Sequence, residues 1–371
     1  MSAHRSGRPS RSTVNADHSS HGWDAAALRR FRRQLSAWYA RHGRDLPWRR
    51  TRDPYAIGLS QIMLQQTTVV AVQPYFARFQ AQFPTVADLA AADEQEVLRA
   101  WEGLGYYSRA RNLLRTARQI VDEYAGEFPV DPAVLQTLPG IGRYTANAIA
   151  SFAHDRRAPV VEANTLRLYS RLLGYRDDPR SRDGQEVLWQ FAESILPRKN
   201  PGLFNQALIE LGGTVCTPRT PACDDCPVVM QCAAFRDGLQ AEIPQAARRP
   251  ELTDLIDVCA VIQHKGNYLL AKRRPEERWA GLWDFPSLTV SESTGTRTSK
   301  TPPAESLTVW SGELADHLRA EFGLVVELSG PVTRLRHSIT RYRVQLIGFA
   351  GDVSADGVAV GRNSKTSSAK R

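Results

Sequence analysis

The sequence predicts two domains, a mainly α N-terminal part and a smaller α+β C-terminal part, on three observations. The chain has 371 residues, long for a single domain. From Trp23 to about Asp237, apolar residues recur at three- and four-residue spacing, as in Leu28, Phe31, Leu35 and Trp38. After Gly238 that period gives way to short, β-branched apolar runs.

Residues 1–22 are rich in Ser, Arg and His without an apolar stretch, and are expected to be a disordered arm, neither signal peptide nor membrane span. Residues 23–237 form the helical domain, with turns at Phe83-Pro84, around Gly126 and Pro129, and at Leu138-Pro139-Gly140. Residues 238–254 are expected to be a linker. The second domain, 255–350, holds a strand run over 255–262, a turn over 264–267, and a returning strand over 268–271. A Ser/Thr/Pro-rich loop over 290–306, a helix over 312–322 and a last strand over 342–349 follow. Residues 351–371 are expected to be a disordered polar tail.

Hydrophobic residues make up 42% of the chain, enough for real cores, which excludes wholesale disorder. The formal net charge of +9 favours an anionic partner, nucleic acid first. A soluble protein that is merely basic explains the charge alone equally well. No run approaches the ~20 apolar residues that cross a bilayer. Four of the five cysteines crowd together, unlike a secreted disulfide framework, so a reducing, cytoplasmic setting near the nucleoid is expected.

Cys216, Cys223, Cys226 and Cys232 are separated by six, two and five residues. Such thiolates reach one metal centre only if the chain wraps around it, and Pro218, Pro221 and Pro227 suit a tight irregular loop. The spacing favours a [4Fe–4S] cluster over zinc, whose modules pair cysteines in two short knuckles; zinc and free thiols remain alternatives. Cys259, within a strand run, is expected to be a buried apolar residue.

Leu138-Pro139-Gly140-Ile141-Gly142-Arg143-Tyr144-Thr145-Ala146 is a Gly-rich turn entering a helix. Gly140 and Gly142 let the backbone come close to a partner, and free amides at the helix start attract phosphate. Alone the signal is weak. Leu46-Pro47-Trp48-Arg49, Met63-Leu64-Gln65-Gln66-Thr67, Gly103-Leu104-Gly105-Tyr106-Tyr107-Ser108-Arg109-Ala110-Arg111-Asn112-Leu113 and Phe204-Asn205-Gln206-Ala207 accompany it. With the cysteine spacing, these segments resemble MutY-type adenine DNA glycosylases of the endonuclease III, or helix-hairpin-helix, superfamily. The resemblance covers about Trp23 to Cys232.

The resemblance implies roles residue by residue. Gln66 and Tyr106 match side chains that wedge into the base stack when adenine is expelled, and Thr67 and Leu104 match residues near an opposing 8-oxoguanine. Ordinary helix packing is the competing explanation for Tyr106 and Tyr107. Trp48, Arg49 and Glu210 match residues around the adenine pocket. Tyr144 stands where bifunctional glycosylase–lyases carry the Lys that forms a Schiff base with the sugar, which implies a monofunctional enzyme.

Breaking the bond between adenine and deoxyribose calls for an acid on the base and a carboxylate beside the electron-deficient sugar. MutY-type enzymes place a Glu and an Asp in these roles; this chain has Gln61 and Glu162, with Asn164 unchanged. Gln61 can hydrogen-bond adenine but has no carboxyl proton, and Glu162 reaches one methylene further. Three outcomes stand open. Glu162 or a water serves as the acid, Glu210 serves instead, or the chain binds and flips adenine while cutting it poorly.

The family also implies a Nudix-like domain that recognises 8-oxoguanine. Arg273-Arg274-Pro275 and Trp279-Ala280-Gly281-Leu282-Trp283-Asp284-Phe285-Pro286 resemble its opening. The stretch Leu318-Arg319-Ala320-Glu321-Phe322-Gly323-Leu324 has too few carboxylates to hold Mg²⁺, so binding without hydrolysis is expected. Where the family often has Phe-Ser-His, this chain has Ile339, Thr340 and Arg341 as lesion-recognition candidates; a surface Arg without a ligand is the alternative for the last. The expected function is removal of adenine mispaired with 8-oxoguanine or guanine from double-stranded DNA by a monomer. A mismatch-binding protein of the same family and another endonuclease III-type glycosylase are the rivals.

Overall fold

The computed structural model describes residues 23–247, 251–274, 276–294 and 302–358, without the side chains of 353–358. The expected arm, 1–22, and the expected tail from residue 359 lie outside the described residues. Two compact units divide between Ala247 and Arg248.

The first unit is helical. Its elements are α1 (Ala25–His42), α2 (Pro54–Met63), α3 (Val69–Gln82), α4 (Val86–Ala91), α5 (Glu94–Ala100) and α6 (Ser108–Tyr124). Then come α7 (Pro132–Leu135), α8 (Arg143–His154), α9 (Ala163–Leu173), α10 (Arg182–Ile195), α11 (Pro201–Thr214) and α12 (Ala233–Arg236). Helix α2 starts on Asp53, whose carboxylate accepts from the amides of Tyr55 and Ala56, with Pro54 at the first position. Every residue from Tyr55 to Met63 is buried, so α2 is a central helix with no solvent face. It packs on α8, where Gly58 leaves room for the Ile149 side chain. A second core joins Phe31, Leu35 and Trp38 of α1 to Leu168 and Tyr169 of α9, Phe191 of α10 and Leu208 of α11.

The expected linker is not free along its whole length. Ile243 is buried and its carbonyl accepts from Arg171 Nε at 2.8 Å, so the segment after Gly238 packs on the helical unit. The first strand of the second unit already begins at Thr253.

The second unit contains β1 (Thr253–His264), β2 (Asn267–Tyr268), β3 (Ala271–Lys272), β4 (Trp283–Asp284), β5 (Ser287–Thr294), α13 (Ala304–Phe322), β6 (Leu324–Ile339) and β7 (Tyr342–Val358). The sheet order is β2-β1-β7-β6, with β5 also paired to β1, and β1 runs parallel to β7. Leu314 and Leu318 of α13 pack on Val258 and Ala260 of β1 and Ile347 and Phe349 of β7. Three expectations are corrected. The loop at 290–306 begins as strand β5, which pairs along β1 from Thr253 to Cys259. The helix starts at Ala304 rather than Gly312. The last strand runs through 351–358, where a polar tail was expected, because β6, unforeseen, pairs along it. Cys259 is buried in β1 as expected.

Gly202, in the first turn of α11, shows how closely α11 and α8 meet: a Cβ there would lie 2.2 Å from the Ser151 carbonyl oxygen. Gly→Ala in a helix ordinarily gains about 1 kcal/mol. Here overpacking against backbone wins, and Gly202→Ala should lower stability by about 1–3 kcal/mol. Urea unfolding checks the sign, expected as a lower midpoint at unchanged slope.

Candidate active site and thiol cage

Gln61 lies in the last turn of α2 and is 5% exposed. Both ends of its amide are engaged. Tyr144 Oη, from the first turn of α8, donates to Gln61 Oε1 at 2.7 Å, and Gln61 Nε2 donates to Ser60 Oγ at 3.0 Å. Burial, with the nearby Glu162 adding to it, pushes the Tyr144 phenol far above its ordinary value, so its proton stays on. One amide hydrogen of Gln61 is left for a ligand.

Glu162 is the N-cap of α9. Oε1 accepts from the Thr165 amide at 2.9 Å, and Oε2 accepts from the Asn164 amide at 2.9 Å and from Asn164 Nδ2 at 3.2 Å. The Glu162 amide donates in turn to Thr165 Oγ1 at 2.8 Å, which closes a capping box. Burial raises the Glu162 carboxyl above its ordinary value, opposed by these helix amides and by Arg167. The longer side chain is thus absorbed by the helix start.

Glu210 behaves differently. Its side chain is wholly buried in α11, accepting from Arg44 Nε at 2.6 Å, Arg44 Nη2 at 2.9 Å and Arg49 Nη2 at 2.7 Å. Burial would raise this carboxyl, but the guanidinium groups of Arg44 and Arg49 outweigh it and hold it below its ordinary value. Glu210 is therefore a fixed anion that orients Arg49, and nothing about it suits proton donation to a base. Trp48 is buried against Phe76. Arg44, which the sequence reading passed over, supplies more bonds to Glu210 than Arg49 does.

Gln66 and Tyr106 are both exposed, and both have left-handed backbones, φ +58° and +48°. Thr67 is half-buried and Leu104 buried. Gly140 has φ +75°, and a Cβ on it would meet Asn112 Cβ at 2.7 Å. Gly142 caps α8 without a side-chain acceptor.

Cys216, Cys223, Cys226 and Cys232 line one cavity with Leu168, Arg171 and Val215 among its walls. Burial, with the neighbouring thiols adding to it, pushes Cys226 up to about 12. Arg171 Nη1 donates to Cys216 Sγ at 3.3 Å. Among the described residues, no group of three or more His, Cys, Asp or Glu side chains closes on a point that would hold one metal ion. Arg167 and Arg171, four apart on the buried face of α9, were also missed; two arginines at helical spacing within an apolar stripe were the available signal.

In the second unit, Ile339 ends β6 while Thr340, with φ +51°, and exposed Arg341 form the β6–β7 turn. Arg341 Nη2 donates to Tyr342 Oη at 3.0 Å. Glu321, the carboxylate of the expected Nudix helix stretch, is ion-paired with Arg274.

A buried helix carrying Gln61, a Gly-rich turn into α8 and a four-thiol cage define a helix-hairpin-helix DNA glycosylase. Residues 59–194 match the family model described as HhH-GPD superfamily base excision DNA repair protein, and residues 257–365 match a NUDIX domain model. An adenine DNA glycosylase of Rattus norvegicus is 35% identical, over 90% of this chain and 73% of its own length. One from Buchnera aphidicola is 34% identical over 69% of this chain and 74% of its own length. The human one is 35% identical over 80% of this chain, which spans 64% of that relative. The chain belongs to the adenine DNA glycosylase family. Among solved structures, a thermostable thymine-DNA glycosylase aligns with 28% identity and TM-score 0.53, over 57% of this chain and 98% of its own. An endonuclease III–DNA complex, at 24% identity and TM-score 0.50, covers 59% of this chain and 99% of its own and shares the helical fold. No helix among the described residues is long and apolar enough to cross a membrane.

Because Glu210 is held ionised, its stabilisation is present above the ordinary carboxylate value and is lost as pH falls through its lowered one. Glu210→Gln leaves two guanidinium groups against a neutral amide and should cost about 3 kcal/mol at neutral pH. The acid limb of the stability curve should flatten. Denaturant melts across pH check both, and a variant as stable as wild type at neutral pH would show that the clamp contributes nothing.

Proposed function

We propose that this chain removes adenine mispaired with 8-oxoguanine or guanine from double-stranded DNA, acting as a monofunctional monomer. The observation that carries the reading is the junction of α2, α8 and α9: the Gln61 amide, the Tyr144 phenol and the Glu162 carboxylate gather there. The Gln61 amide orients the base through its remaining N–H. Tyr144 carries no amine for a Schiff base. Glu162 and Asn164 face the sugar, where the carboxylate stabilises the electron-deficient centre left as the base departs. With Glu210 locked as an anion and Glu162 acting as the carboxylate, solvent supplies the proton to adenine.

The exposed Gln66 and Tyr106 turns hold the gap left by the extruded base, with Thr67 and Leu104 beside the opposite strand. Gly140 and Gly142 present the start of α8 to the DNA backbone, which the formal net charge of +9 also favours. Ile339, Thr340 and Arg341, at the β6–β7 turn, would contact the 8-oxoguanine. The Glu321–Arg274 pair leaves that stretch without a free carboxylate for Mg²⁺, which supports recognition without hydrolysis.

Cys216, Cys223, Cys226 and Cys232 would hold a [4Fe–4S] cluster. Their fit rests on four thiols lining one cavity, with Arg171 Nη1 donating to the Cys216 sulfur, and on a chain spacing unlike the paired short knuckles of zinc modules. The cluster would staple the loop rather than take part in the reaction.

Single-turnover release of adenine from an A:8-oxoguanine duplex tests the activity. Gln61→Glu should raise the rate by about 10²-fold, and Glu162→Gln should lower it by a similar factor. With the proton supplied by solvent, the rate should rise on acidification and level off below a midpoint above the ordinary carboxylate value, because the raised Glu162 group must be ionised to act. Tight duplex binding with no free adenine would sink the enzymatic reading in favour of mismatch binding. Purified protein should also carry about four irons per chain with matching sulfide, and zinc in their place would refute the cluster.

A further inference from the structure

We infer that Arg109 is the positioning residue that locks the Gln66 and Tyr106 turns to each other, so that both wedges enter the duplex as one rigid unit. The inference rests on the proposed wedge role of those two residues. Arg109 lies in the first turn of α6 and is 8% exposed. Its Nη1 donates to the carbonyls of Ile62 at 2.8 Å, Met63 at 3.0 Å and Gln65 at 2.6 Å. Its Nη2 donates to the carbonyls of Leu104 at 3.2 Å and Gly105 at 3.3 Å. Each set ends one residue before a left-handed wedge position, Gln66 and Tyr106.

The two turns lie about forty residues apart in the chain, and one guanidinium therefore fixes both. The rings of Trp101 and Tyr106 flank it, their centroids 5.3 and 5.5 Å from Cζ. Trp101 Nε1 adds a bond to the Gly105 carbonyl at 3.1 Å. The open ends of α2 and of the turn after Trp101 leave carbonyls that need donors, and a planar fork with a donor group at each tip satisfies both at once. An ammonium concentrates its three donors on one nitrogen and can serve one turn, not both. Rigidity matters because a wedge that yields lets the base fall back into the stack before its bond is broken.

The test uses full-length, cluster-bearing protein and duplexes with 2-aminopurine at the target adenine, whose emission rises on extrusion. Arg109→Lys should bind duplex within about twofold of wild type yet lose about tenfold in extrusion rate. Adenine release should fall by the same factor from a paired duplex, but by less than about twofold from a duplex whose adenine is already unpaired in a bulge. Equal losses on both substrates, or undiminished extrusion, would overturn the inference. If Arg109→Lys does not fold, Trp101→Phe, which removes the Nε1 bond to Gly105 and part of the ring against Arg109, should give a smaller loss of the same kind, and its absence would be equally fatal. Gln66→Ala and Tyr106→Ala separate the two levels. Normal extrusion in both would remove the wedge reading itself; loss there with normal extrusion in Arg109→Lys would remove only the role of Arg109.

Discussion

The Arg167 guanidinium draws together three segments that the sequence keeps apart. It donates to Asn164 Oδ1 at 3.0 Å, to the Gly212 carbonyl at 2.6 Å and to the Cys216 carbonyl at 2.8 Å. A buried cation is tolerated only where its donors are met, so the start of α9, the end of α11 and the entry to the thiol loop are obliged to converge. Arg171, one turn on, holds the Thr217 and Pro218 carbonyls and the Cys216 sulfur. Helix α9 is consequently a beam with Glu162 at one end and the thiol cage along its buried side. The placement of Glu162 therefore depends on the integrity of the thiol loop.

Two buried carboxylates show how environment divides labour in this fold. Glu162 faces helix amides and is raised by burial; Glu210 faces two guanidinium groups and is lowered. Opposite shifts of identical side chains mark the first as the group whose charge responds to its surroundings and the second as scaffold.

What could be read in the sequence were features with a period or a spacing. The helical period of α1, the proline-flanked cysteines and the Gly-rich turn into α8 each have a local cause, and each stands in the structure. Arginine-to-carbonyl bonds have neither period nor partner side chain, so the role of Arg109 could not be assigned from sequence alone, and the partner of Arg44, Glu210, lies too far along the chain to be paired with it. Strand β6 was missed for a related reason: most of its residues are exposed on both faces, so hydrophobic alternation is absent and only pairing with β7 defines it. Strand β5 hides within Ser- and Thr-rich sequence that resembles a loop, yet it is held in register along β1. The polar 351–358 segment is extended by the same partner-driven pairing, a long-range cause that no window of sequence contains.

The left-handed backbones at Gln66 and Tyr106 have an evolutionary consequence. An L-residue in that region is strained by roughly 1 kcal/mol, which glycine would relieve. Selection for heat resistance alone would draw both positions toward glycine and erase the side chains that project there. If they carry the proposed wedge role, glutamine and tyrosine there set stability and DNA handling in opposition at two defined sites, and thermostabilisation of this scaffold should leave those two residues untouched.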